Sequence, residues 1–359
     1  YEIARQARQY ISQHPEDQNF AHRFTRWENF WSNRVGATGN FNAYAQYLSV
    51  LTNPNTICNS GNSNWQQLGP VITASQNSGY VRCVYAPPGQ SPVNTIFAGS
   101  NTAGLWKTTD NGVHWQNLTD QLRLPGLGVI AIIAKPNGTE PPTTMYIGTG
   151  NSVGFFENYG VGVFKSTDGG NTWAATSLDY TAVEQQPIEK LMFDETDATY
   201  NTIYALGQSK LWKTTDGGIN WQNVTSTLTL QWDETFSGVE IIPGLANTLV
   251  LSTKKHGWPY SGANIYKSID AGATWQVISP NASNMQNPAG YYFKTEAFHV
   301  DASTFAPGKI FAMYNDYEEI TNAQGAIIGN TLHNKPYMSL DLATPDAKWQ
   351  VLNATVNTD

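Results

Sequence analysis

Two spacings of apolar side chains divide the chain. Across residues 1–57 they recur every three or four positions, as Phe20, Phe24, Trp27 and Trp31 do. That interval lines one face of a helix. It predicts one helix in "YEIARQARQYISQHP" and a second in "FAHRFTRWENFWSNRVG", with Pro15 between them and Gly36 and Gly39 ending the second. "NAYAQYLSVL" predicts a third. The aromatic face of this 1–57 segment either packs against the rest of the molecule or docks on a partner. From residue 58 to 359 the apolar runs shorten. "TIFAGS", "VIAIIA", "TMYIGTG", "IEKLMF", "TIYALG" and "TLVLST" are strand-length runs bounded by Gly, Pro, Asn and Asp.

The strands belong to a repeat. "KTTDNGVHW" (107–115), "KSTDGGNTW" (165–173), "KTTDGGINW" (213–221) and "KSIDAGATW" (267–275) are one box written four times, with a looser copy in "MSLDLATPDAKW" (338–349). Two apolar strands precede each box and a "WQN"-like strand follows, giving four strands per repeat, the content of a propeller blade. The box residues have local work to do. Asp110, Asp168, Asp216 and Asp270 can accept hydrogen bonds from their own turns. Glycines at the corner tolerate left-handed backbone. Trp115, Trp173, Trp221 and Trp275 can bury large rings between sheets. The boxes lack the alternating oxygen ligands of a calcium loop, and their lysine precedes the turn instead of closing a phosphate loop. They read as structural corners, and no metal or other cofactor is predicted.

This pattern resembles the Asp-box, or BNR, repeat of sialidases, sortilin-type receptors, xyloglucan-degrading glycosidases and many exported propellers. The likeness covers roughly residues 65–352. "RFTRWENFWSNRVG" with "WQQLGP" also resembles exported Bacteroidota propellers that use type IX secretion. The resemblance implies an all-β propeller of four-stranded blades after a short helical segment. About five blades are visible, and "NWQQLGP" reads as the outer strand of a closing blade. A full ring would have six to eight blades, with the missing strands expected beyond Asp359. It also implies an exported protein, and Tyr1 reads as a processed N-terminus. Sialidases assemble an arginine triad from different blades. Here the arginines stop at Arg123, so that activity is not expected. Xyloglucan-degrading relatives carry an Asp in a motif like "RTDIGG". The matching place here reads "GSNTAG", with Asn101 in it.

Composition narrows the partners. Charged residues make up 13% of the chain and the net charge is −8, the opposite of the basic stripes that neutralise phosphates, so a nucleic-acid partner is not expected. No apolar run reaches the length of a membrane span. Cys58 and Cys83 are either one bridge of an oxidising compartment or two buried thiols.

Strand alternation places the boxes on one face and the longer loops on the other. Those loops and the connections beside them carry Phe155, Phe156, Tyr159, Trp232, Trp258, Tyr260, Tyr291 and Tyr317. Exposed rings beside amides and carboxylates suit a polysaccharide or protein ligand. Glu189, Glu240 and Glu296 lie in innermost strands beside the channel, where two carboxyl groups at the right separation would serve a glycosidase. The leading expectation is a secreted or cell-surface recognition module. A glycoside hydrolase acting on polysaccharide is the alternative. A structural component of a surface assembly, docked through residues 1–57, is the third.

Overall fold

The computed structural model describes residues 2–32, 80–89, 93–122, 124, 127–136, 142–150, 160–180, 186–231, 233–255, 262–286, 288–289, 292, 294–295, 297–334 and 336–353. The chain divides into two compact units, Tyr1–Asn77 and Ser78–Asp359. In the first, α1 (Glu2–Gln13) and α2 (Gln18–Ser32) form a helical pair. Asp17 caps α2: its Oδ1 accepts the Phe20 N–H at 3.0 Å, satisfying a donor that the first turn leaves unpaired. Phe24 is buried, and Tyr10 stacks on His14 with ring centroids 4.2 Å apart. The side chains of Trp27 and Trp31, the third predicted helix and "NWQQLGP" lie outside the described residues.

The second unit is an all-β propeller of antiparallel four-stranded blades. Blade one is β1 (Val81–Tyr85), β2 (Ile96–Ser100), β3 (Leu105–Thr108) and β4 (Gln116–Asn117). Blade two is β5 (Val129–Ala134), β6 (Met145–Thr149), β7 (Gly162–Ser166) and β8 (Ala174–Asp179). Blade three is β9 (Ile188–Phe193), β10 (Ile203–Gly207), β11 (Leu211–Thr214) and β12 (Gln222–Asn223). Blade four is β13 (Glu234–Ile241), β14 (Leu249–Lys255), β15 (Ile265–Ser268) and β16 (Gln276–Val277). Blade five runs β17 (Phe298–Ala302), β18 (Lys309–Tyr314), then a two-stranded insertion, β19 (Asp316–Thr321) and β20 (Ile327–Asn334). It resumes with β21 (Tyr337–Asp341) and β22 (Gln350–Asn353). The first strands sit side by side, β1 against β5, β5 against β9 and β13 against β17.

Each box turns the third strand of its blade into the fourth around one buried hydroxyl. Thr108, Ser166, Thr214 and Ser268 are all but fully buried. The Ser166 hydroxyl donates to Asp168 Oδ1 at 2.8 Å and accepts the Gly170 N–H at 2.8 Å. The other three copies repeat both bonds. The aspartate then accepts from the residue four places on. Thr172 gives its N–H at 2.8 Å and its hydroxyl at 2.6 Å. His114, Asn220 and Thr274 do the same in their boxes. Two consecutive left-handed residues make the corner. Asn111 and Ala271 hold the first of these positions at φ 57° and 58°, where the other boxes have glycine.

The cores lie between blades, and the box tryptophans seal them. Trp173 of blade two packs with Phe97, Leu105 and Leu118 of blade one. Trp275 packs on blade three, its Nε1–H donating to Val224 O at 2.9 Å. Trp349, in the looser fifth box, is fully buried and donates to Ile278 O of blade four at 2.8 Å. Trp221 packs half-buried against the blade-two cluster. Each ring therefore leans on the blade before its own. Trp115, whose blade is the first described, is 41% exposed.

Two outcomes follow from this geometry. Trp349→Ala should lower unfolding stability by about 3–5 kcal/mol, and Trp115→Ala by under about 1 kcal/mol, in urea titrations. The second concerns acid. Hydrogen bonds donated by the residue four places on lower the carboxyl pKa of Asp110, Asp168, Asp216 and Asp270 from 3.8 to about 2. A pKa lowered by folding stabilises the fold above the unfolded value. That contribution disappears as pH falls from 3.8 to about 2. Asp168→Asn, which cannot titrate, should flatten part of the acid-stability slope in that window. An unchanged slope would show that the box carboxylates do not contribute to it.

Candidate functional site

The ends of the first strands away from the boxes lie where the sequence places the mouth of the channel. In four blades the register slips there by one residue. Val81 and Cys83 pair with consecutive residues of β2, leaving Arg82 over. Ile130, Glu189 and Ser237 are left over in β5, β9 and β13. Such a bulge re-aims one side chain and sharpens the strand twist, and bulges concentrate beside active sites. Close approach of the blades accompanies the slip. A Cβ on Gly148, opposite the bulge of β5, would come within 2.7 Å of Ile188 Cγ2 and 2.8 Å of Ile188 O in the next blade. Only glycine leaves that space open.

The four bulge residues differ in chemistry. Ser237 donates to Phe298 O of the next blade at 2.9 Å, and Ile130 is buried. Among the described residues, Arg82 Nε and Glu189 Oε1 are each buried with no hydrogen-bond partner. An unsatisfied buried polar atom is costly, and a ligand is one of the reasons a fold retains it. Glu240, the second channel carboxylate named from the sequence, is engaged. Lys190 Nζ reaches from blade three to Glu240 Oε1 at 2.5 Å and Val239 O at 2.9 Å. Burial pushes the Glu240 carboxyl up, while the Lys190 charge beside it pulls it down; the net direction is up. Glu296 lies outside the described residues.

The long-loop face is partly described. Phe155, Phe156, Tyr159, Trp232, Trp258, Tyr260 and Tyr291 lie outside the described residues. Tyr317 is half-buried on β19 and accepts a bond from Asn315 Nδ2 at 3.5 Å. The sequence places Tyr317 on a long loop; residues 316–334 instead form the hairpin β19–β20. Its turn is closed by Asn322, whose Oδ1 accepts from Gln324 N and Ala326 N at 3.0 and 2.9 Å. β13 starts at Glu234, just after Trp232, which the sequence places in a longer connection. Glu234 is buried and fully engaged, accepting Thr253 Oγ1 at 2.5 Å and Gln231 N at 3.1 Å.

Asn101 follows β2 at the same mouth, and a Cβ on Gly128 would lie 2.6 Å from its carbonyl oxygen. Cys83 is a free thiol directed at Val129 O at 3.5 Å, and burial pushes its pKa up to about 11. Cys58 lies outside the described residues. Among the described residues no three His, Cys, Asp or Glu side chains converge as metal ligands. No described helix is long and apolar enough to cross a membrane. The sequence pattern missed the bulges, the Lys190–Glu240 pair and the hairpin. The one visible signal was an odd polar residue, Arg82 or Glu189, at the start of an otherwise apolar strand.

No known protein-family profile matches the chain. It is 25% identical over 234 residues to a xyloglucanase of Paenibacillus sp, a match covering 60% of this chain and 22% of the relative. It is 26% identical over 204 residues to xyloglucanase Xgh74A of Acetivibrio thermocellus, covering 51% and 24%. The chain thus spans about a quarter of the length of the curated relatives it matches. Among solved structures, the GH74 xyloglucanase from Xanthomonas campestris superposes with a TM-score of 0.51 at 15% identity, covering 76% of this chain and 38% of that one. That likeness is one of fold.

Proposed function

We propose that the chain is the propeller part of an exported glycoside hydrolase of Asp-box type, acting on a polysaccharide through the channel mouth and the loop face. The observation that carries this reading is the identity of 25–26% to xyloglucanases over more than 200 residues. It favours a hydrolase over the recognition module expected first. The type IX route, read from "RFTRWENFWSNRVG", remains part of the proposal for export.

Glycoside hydrolysis needs one carboxyl group to protonate the leaving oxygen and another to act on the opposite side of the sugar. Lys190 occupies Glu240. Of the channel carboxyls named from the sequence, Glu189 is the one described without a salt bridge, and we assign it the proton exchange; Arg82 lies at the equivalent bulge of blade one. The observation that favours a second reading is Asn101. An amide cannot perform the acid–base step of a carboxylate, so a protein that binds polysaccharide without cutting it would tolerate it.

One assay separates the two. Full-length protein is incubated with xyloglucan, and both reducing-end release and binding are measured. The hydrolase reading predicts release that falls about 10²–10⁴-fold in Glu189→Gln, with binding retained. Binding without release would transfer the assignment to the recognition module. Neither binding nor release would overturn both.

A further inference from the structure

Blade five carries an addition not seen among the described residues of the other blades: the hairpin β19–β20 between its second and third strands. A connection at that position projects on the loop face, opposite the boxes. The hairpin is held firmly. Asp316, fully buried, accepts the Tyr292 N–H with both carboxylate oxygens at 2.9 and 3.2 Å. Tyr317 N–H donates to Lys294 O at 2.9 Å, and Lys294 Nζ lies 3.8 Å from Glu319. Tyr292 and Lys294 are thereby fastened along β19.

This arrangement presents a constellation of side chains. Tyr292 and His333 pack with ring centroids 4.6 Å apart at 37°. Glu318 lies beside both: His333 Nε2 is 2.7 Å from its Oε2, and burial, then the same carboxylate next to it, hold the pKa of the Tyr292 hydroxyl up. All three are accessible, with Tyr292 41% exposed and the His333 and Glu318 side chains at 35% and 45%. Glu318, Ile320 and Thr331 fall on one face of the hairpin, since Glu318 pairs with Thr331 and alternate residues share a side; His333, left over where the register slips between Asp316 and Tyr317, reaches Glu318 from the partner strand. Ile320 is exposed at 44% on that face, and Gly329 opposite leaves its side chain room. Among the described residues nothing pairs with His333 Nδ1.

We propose that Tyr292, His333 and Glu318 form a binding subsite for a neutral polysaccharide chain, deepening the hydrolase reading on which this inference rests. A pyranose offers an apolar C–H face and a rim of hydroxyls. The exposed Tyr292 ring matches the face, as amphipathic aromatics do at wet interfaces. The Glu318 carboxylate and the His333 Nδ1 match the rim as hydroxyl partners. The rings and the carboxylate hold one another in place before any ligand arrives, which reduces the ordering cost of binding. Ile320, about 7 Å along the strand from Glu318, extends the surface for a second sugar unit. No net charge is asked of the ligand, since Glu318 already faces a histidine and a tyrosine hydroxyl.

The test is calorimetric titration of full-length Glu189→Gln protein with xyloglucan oligosaccharide, so that binding is read without cleavage. Introducing Tyr292→Ala or Glu318→Gln should raise Kd about tenfold or more, while Tyr292→Phe, which keeps the ring, should stay within about threefold. Melting temperatures are recorded in parallel. Unchanged affinity in Tyr292→Ala and Glu318→Gln, with or without a fall in melting temperature, would overturn the subsite and leave the hydrolase reading standing. Absence of oligosaccharide binding in the parent protein would overturn both.

Discussion

One buried hydroxyl per blade does the most to organise the propeller. At Ser166 and its three counterparts it donates to the box aspartate and accepts the backbone N–H of the glycine at the second corner position. Those bonds hold two consecutive left-handed residues in place, a conformation that costs an L side chain roughly 1–2 kcal/mol. Asn111 and Ala271 accept that cost, which shows how firmly the network fixes the corner. The fixed corner then aims the tryptophan that follows it. Because each ring leans on the preceding blade, a local turn becomes a contact between sheets. Lys165 and Tyr146 add to the same link, both donating to Gly217 O in the next box.

Near the axis a different constraint governs. Blades converge there, and second strands need glycine at Gly99 and Gly148 because the next first strand passes directly over them. The bulges lie in the same place. A bulged residue leaves the ladder, so its identity is released from strand pairing and set by other demands. Ser237 uses that freedom to tie blade four to blade five. Arg82 and Glu189 have no such tie. One structural position thus carries an inter-blade fastening in Ser237, a buried apolar side chain in Ile130, and polar groups without such a tie in Arg82 and Glu189.

Much of the fold was legible because its determinants are local. A box of nine residues contains its own hydroxyl, carboxylate, corner and ring, and four copies set the blade content and strand order. The bulges were not legible, since a register slip belongs to two paired strands and leaves no composition behind. The Lys190–Glu240 pair joins residues 50 positions apart in different blades, a distance no local pattern spans. The hairpin was missed because "EEITNAQGAIIGN" puts its strands around a polar turn and has no long apolar run. Tyr292 and His333 come together only once that hairpin forms. The residues that build the propeller were therefore easier to find than the residues on which we place its function.

Architecture belongs to the box face, and we place ligand binding on the opposite one. Hydrogen–deuterium exchange of the Glu189→Gln protein, with and without xyloglucan oligosaccharide, tests that division most directly. The account predicts slowed exchange at the first-strand ends around Arg82 and Glu189 and along β19–β20, with the turns at Asp110, Asp168, Asp216 and Asp270 unchanged. Slowed exchange centred on those turns, with the strand ends and the hairpin unaffected, would contradict it.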